Sequence, residues 1–161
     1  MLENLARKEL EMAWERIDLF APSGLRLQDG GTVEVENPPR MTGEQDGWMV
    51  ANFHVESDED VHGDHWEIHP CGQEVVSVLA GQARLVLRAE FDEPQHDQPQ
   101  HDQPWHDHTQ DGRTEDGETV TLTAGTAFVV PRNRWHRLEV DGPTDLQSIT
   151  VRRGTRLERR P

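Results

Sequence analysis

His65-Trp66-Glu67-Ile68-His69-Pro70-Cys71-Gly72-Gln73-Glu74, continuing through Val75 and Val76 to Gly81, decides how the 161-residue chain is read. In extended form, residues 65 to 69 place His65, Glu67 and His69 on one face and Trp66 and Ile68 on the other. The first face offers three groups able to bind a metal ion or move a proton. Pro70-Cys71-Gly72 interrupts the run, and Gln73 to Leu79 resumes in β-forming residues, which brings Glu74 back beside His69 on a neighbouring strand. The expected site is built across a turn, not along one strand.

Outward from this stretch the period of two persists. Leu25-Arg26-Leu27 and Val33-Glu34-Val35 flank Asp29-Gly30-Gly31 and read as a hairpin, and Trp48 to Val55 reads as a strand. Beyond Gly81, strands are expected over 83–88, 120–123, 127–131, 135–140 and 146–151, separated by Gly and Pro turns. One segment differs. Leu2, Ala6, Leu10, Ala13, Trp14 and Ile17 recur at three- and four-residue spacing, which predicts an amphipathic helix ended by Pro22 and Gly24. Many short strands and a single helix indicate an all-β sandwich or barrel, with ligands supplied from facing strands.

Composition bounds the partners. The formal charge is −15, and residues 90 to 118 hold ten acids against Arg113 alone. An acidic surface argues against nucleic acid and anionic membranes, which require clustered Lys and Arg. Cys71 is the one cysteine, so no internal disulfide framework or cysteine zinc site is expected, and its place in the turn reads as a small buried residue. No run has the 18 or more apolar residues of a membrane span and the N-terminus lacks a signal-peptide core, so a cytoplasmic protein is expected.

Gln95-His96-Asp97-Gln98-Pro99 repeats as Gln100 to Pro104 and is echoed by Trp105-His106-Asp107-His108-Thr109. Proline at this density forbids a paired strand, and there is little to bury, so 91–117 reads as a flexible hairpin insertion. Its histidines, His96, His101, His106 and His108, suit Zn, Ni or Cu, but repeat expansion in a tolerant loop accounts for them more simply. The expected organisation is a helix over 1–22, a barrel over 23–152 carrying this insertion, and a basic tail over 153–161 that either lies against the acidic body or frays.

Two segments carry a resemblance. The first reads His69, four residues, Glu74, six residues, Gly81; the second reads Gly125, five residues, Pro131, four residues, His136. This resembles the paired motifs of the cupin superfamily, G-x5-H-x-H-x3-4-E-x6-G and G-x5-P-x-G-x2-H-x3-N. The string Trp66-Glu67-x-His69-Pro70-x-Gly72-x-Glu74 is similar to that of a group of small single-domain bacterial cupins, mostly uncharacterised. The resemblance implies a single jelly-roll barrel holding one divalent metal, with His69, Glu74 and His136 as ligands. Glu67 stands where the first histidine of motif one normally is. Asn133 replaces the glycine of P-x-G, and Val140 the final asparagine.

His69, Glu74 and His136 alone make a two-histidine, one-carboxylate face that suits Fe and also accepts Mn, Ni or Zn. Glu67 has three readings: a fourth metal ligand, a catalytic general base whose pKa is raised by burial, or part of a metal-free pocket in which one carboxylate is protonated. Two functions follow. One is a metal-dependent dioxygenase or isomerase acting on a small organic molecule; the alternative is a non-catalytic binding or sensing module with a degenerate or absent metal site. His65 is expected at the rim, and His54 and His62 in solvent. Trp66 and Trp135 are expected on the face opposite the site. A homodimer is expected from the resemblance.

Overall fold

The computed structural model describes residues 16–39, 46–90 and 116–160. The helix expected near the N-terminus falls outside these residues except for Arg16 and Ile17, which lie in no regular element. Most of the histidine-rich insertion, 91–115, is also outside them, while Asp116 and Gly117 already belong to a strand.

Eleven strands are described: β1 (Ser23–Leu27), β2 (Val33–Glu36), β3 (Trp48–Val55), β4 (His65–Ile68), β5 (Glu74–Ala80), β6 (Gln82–Arg88), β7 (Asp116–Thr123), β8 (Thr126–Val130), β9 (His136–Glu139), β10 (Thr144–Thr150) and β11 (Arg156–Arg159), with a 3-10 turn at Asp58–Val61. They form two antiparallel sheets, in the orders β2-β1-β3-β10-β5-β8 and β11-β4-β9-β6-β7. Counted from β3 to β10, the first sheet carries strands one, eight, three and six, and the second carries two, seven, four and five. That is the order of a jelly roll, in which successive strands pass back and forth between two facing sheets.

The sheets close on a core of Val55, Val76, Val78, Ala83, Leu85, Leu87, Leu122, Val130, Val140 and Leu146. β5 shows how the sequence builds this. Glu74, Val76 and Val78 point inward and are buried, whereas Val75 and Ser77 alternate to the other side. The β5–β6 connection turns on Gly81 at φ 81°, and a Cβ there would stand 2.6 Å from the Pro143 carbonyl oxygen, so both conformation and space demand glycine.

Trp66 is fully buried yet outside this core, as alternation along β4 requires. Arg137 lies over its ring at 5.0 Å and Arg88 at 5.7 Å. Arg88 also covers Trp135, which Arg156 approaches at 5.7 Å. The outer face of the second sheet thus carries interleaved arginine and tryptophan, where cation–π attraction adds to apolar contact.

The basic tail contributes a strand. β11 pairs with β4 in the register Arg156 to Ile68, Leu157 to Glu67, Glu158 to Trp66 and Arg159 to His65. It covers what would otherwise be the open edge of β4, and the Arg88–Glu158 ion pair at 2.9 Å fastens it to β6. Of the two expectations for the tail, packing against the body is the one realised. The expectation for Cys71 is corrected: the residue is exposed, because the turn after His69 runs over the surface.

Candidate metal centre

The residues of the two motifs meet between the sheets. Glu74 opens β5 in the first sheet; Glu67 on β4 and His136 on β9 are direct cross-strand partners in the second. His69 follows β4, and its backbone carbonyl accepts a hydrogen bond from the N–H of Asn133 at 3.1 Å, which ties the two motif loops together. Asn133 holds φ 62°, a left-handed conformation that asparagine tolerates, so it fills the role of the glycine it replaces.

Glu74, His69 and His136 are almost fully buried. Glu74 Oε2 lies 2.7 Å from His136 Nε2 and 3.2 Å from His69 Nε2, and Ser148 donates its hydroxyl to Oε1. Burial pushes the Glu74 pKa up, but the hydrogen bonds to His136 and His69 outweigh it and hold the carboxyl well below the usual carboxylate range. Burial likewise pulls His136 down, but its hydrogen bond to Glu74 and the attraction of that carboxylate, with smaller help from the Arg134 backbone and Glu67, together leave its pKa raised.

Each imidazole is oriented through its second nitrogen. His69 Nδ1 is 2.8 Å from Thr155 Oγ1, and His136 Nδ1 donates to the Arg134 carbonyl at 3.0 Å. This decides the donor chemistry at His136. With Nδ1 carrying the proton, Nε2 of a neutral ring presents a lone pair toward a carboxylate oxygen, an arrangement that requires positive charge between them. A second proton supplies it, or a metal ion does. Imidazoles held through Nδ1 with Nε2 turned to a common point are the pattern of metal ligands. Donor atoms of Glu67, His69 and His136 also lie within 4.8 Å of one another. The residues therefore fit a divalent cation, with nitrogen and oxygen donors suited to Fe, Mn, Ni or Zn.

Glu67 is less enclosed, with a side chain 27% exposed. Its Oε1 stands 3.8 Å from His69 Nε2 and accepts a hydrogen bond from Arg152 Nη2 at 3.2 Å.

A cavity of about 220 Å³ adjoins the cluster. Glu67, Glu74, Ser148 and Arg152 mark its polar end, and Phe53, Val55, Val76, Leu138, Leu146 and Leu157 supply the apolar walls. His62 is exposed at its edge. His65 is partly exposed beside Asp64, at 2.7 Å, and His54 lies away from the site between Glu56 and Asp145.

The two motif histidines and the motif glutamate converge on one point inside a jelly roll. The fold is a jelly-roll barrel, the architecture that the motif resemblance implies. No family model matches the sequence, and no curated protein matches it. Among solved structures, the barrel is similar to an uncharacterised conserved protein with a double-stranded β-helix domain from Klebsiella pneumoniae, at 16% identity over 73% of this chain and 75% of that one, with a TM-score of 0.47. A cupin-2 domain protein from Shewanella frigidimarina matches at 14% identity over 92% and 91%, with a TM-score of 0.39. A hydroquinone 1,2-dioxygenase solved with Cd2+ and 4-hydroxybenzonitrile matches at 19% identity over 68% of this chain and 60% of that one, with a TM-score of 0.42.

Sequence reasoning missed Ser148, Arg152 and Thr155. Ser148 was open to it, since alternation along β10 places Leu146, Ser148 and Thr150 on one face and a hydroxyl among core residues marks a polar task. Arg152 and Thr155 come from the turn between β10 and β11, closed by the Thr155 N–H on the Arg152 carbonyl at 3.0 Å. No periodicity reaches into that turn.

Proposed function

We propose that this cupin barrel holds one divalent metal ion on His69, His136 and Glu74, with Glu67 as a further donor, and acts on a small organic molecule in the adjoining cavity. The observation that carries this is His136, whose two ring nitrogens both face acceptors: the Arg134 carbonyl on one side and the Glu74 carboxylate on the other. A bound divalent ion supplies Lewis-acid polarisation, and Fe or Mn adds redox chemistry.

The chain's own residues hold and shield. Thr155 and the Arg134 carbonyl fix the imidazole planes, Ser148 fixes the Glu74 carboxylate, and apolar side chains supply most of the cavity's walls. Of the two reactions open to such a centre, the dioxygenase reading is favoured. A base-driven isomerase needs an uncommitted carboxylate beside its substrate, and those lining the cavity are engaged: Glu67 with Arg152, Glu74 with two histidines and Ser148, and Asp60 with the backbone N–H groups of Glu56 and Ser57.

Elemental analysis of tag-free protein tests the metal. Expected is one tightly held divalent ion per chain, retained when residues 92–115 are replaced by a short Gly-Ser linker and lost in the His69→Ala, His136→Ala double variant. Metal that disappears only with the linker replacement refutes the barrel site.

A further inference from the structure

Arg152 has the least-used buried polar side chain at the cavity. It is 9% exposed and lines the cavity, yet among the described residues its guanidinium donates only once, from Nη2 to Glu67. Its Nε is buried with no acceptor. Other buried or half-buried polar groups there are occupied. Gln147 donates to Asn52, which donates to Ser23, and Ser148 is spent on Glu74. A buried guanidinium carries donors in a planar fork that matches a carboxylate, and buried N–H groups without acceptors are rare in finished sites.

We propose that the cavity takes a small monocarboxylate with an apolar body, its carboxylate received by Arg152 and its body by the walls of Phe53, Val55, Val76, Leu138, Leu146 and Leu157. Charge and size agree. A divalent ion and Arg152 set against Glu67 and Glu74 leave one positive charge, which a single carboxylate cancels. The cavity, about 220 Å³, has room for a short branched or aryl acid. The assignment rests on the metal centre proposed above for this charge balance, and deepens it by naming the class of molecule.

The test uses 4-methylpentanoate and its uncharged amide as probes, titrated by NMR into zinc-loaded protein. The acid is expected to bind at least tenfold more tightly than the amide. Arg152→Gln should bring the two within about twofold with zinc stoichiometry unchanged, and Arg152→Lys, which keeps the charge without the fork, should retain part of the preference. Where Arg152→Gln does not fold, the Arg152 Nε–H resonance of the wild-type protein decides, moving with the acid and not with the amide. Equal binding of the two probes, binding of neither, or a preference that survives Arg152→Gln overturns the assignment. Protein that takes up no zinc refutes the metal centre alone, and the same comparison on metal-free protein then decides for or against Arg152.

Discussion

Thr155→Val isolates the support of one ligand from the ligand itself. Thr155 Oγ1 is 2.8 Å from His69 Nδ1, and His69 is 2% exposed, so no bulk water stands ready to replace the hydroxyl. Valine keeps the branched shape and removes the hydrogen bond. A buried ring nitrogen left without its partner costs roughly 1–3 kcal/mol of stability. For metal binding, loss of the group that orients an imidazole typically weakens affinity about 10- to 100-fold, or about 1.4–2.7 kcal/mol. The assay is competition between protein and a chromophoric chelator for zinc, run on wild type, Thr155→Val and Thr155→Ser. Serine retains the hydroxyl and is expected within about threefold of wild type. A valine variant that binds zinc as tightly as wild type refutes the orienting role. Equal losses for serine and valine refute it too, by assigning the effect to packing of the turn.

Three further outcomes follow from the backbone and the surface. Gly81→Ala should cost about 2–5 kcal/mol, because left-handed strain adds to the collision with Pro143 and Thr144, whereas Gly125→Ala, at φ 82° with nothing within 4 Å, should cost only about 1–2 kcal/mol; urea midpoints measure both, and equal losses would dismiss the collision. Asn133→Gly should leave stability within about 0.5 kcal/mol, while Asn133→Ala loses about 1 kcal/mol or more at φ 62°, read by the same denaturation. The pKa of His54 is raised by its hydrogen bonds to Asp145 and Glu56, so its contribution to stability is fully present below pH 6.5 and is lost as pH rises through the raised folded value. An NMR titration should place its midpoint above 6.5, and Asp145→Asn should lower it.

What the sequence made legible was whatever repeats or is spaced. Alternation placed Trp66 away from Glu67 correctly, because β4 is regular and paired on both sides. The spacing of His69, Glu74, Gly81, Gly125, Pro131 and His136 located the cluster because each marks the end of a strand or a turn whose geometry the fold requires. Arg152 and Thr155 were hidden because they enter from an irregular turn, placed by the pairing of β11 with β4. A tail rich in arginine reads as solvated surface, and nothing local shows that Leu157 will stand opposite Glu67. Cys71 was misjudged for a related reason: a small residue type favours burial on average, but position in a surface turn overrides it.

Glu67 links the two halves of the site. One oxygen, Oε1, accepts from Arg152 at 3.2 Å and lies 3.8 Å from His69 Nε2, so the carboxylate that would join a metal on His69 is the same one that occupies Arg152. Drawing Glu67 toward a cation releases guanidinium donors for an acid, and an acid on Arg152 releases Glu67 for the cation. The two ligands should therefore bind with positive linkage, and thermodynamics requires the factor to be the same in both directions. Zinc is expected to tighten 4-methylpentanoate binding by about tenfold, within the usual range of such couplings, and the acid to tighten zinc equally. Glu67→Gln provides the decisive comparison. Its amide holds the guanidinium less firmly than a carboxylate does, so metal-free Glu67→Gln should bind the acid more tightly than metal-free wild type. Equal affinity in those two metal-free proteins would show that Glu67 does not restrain Arg152, and the linkage would lose its cause.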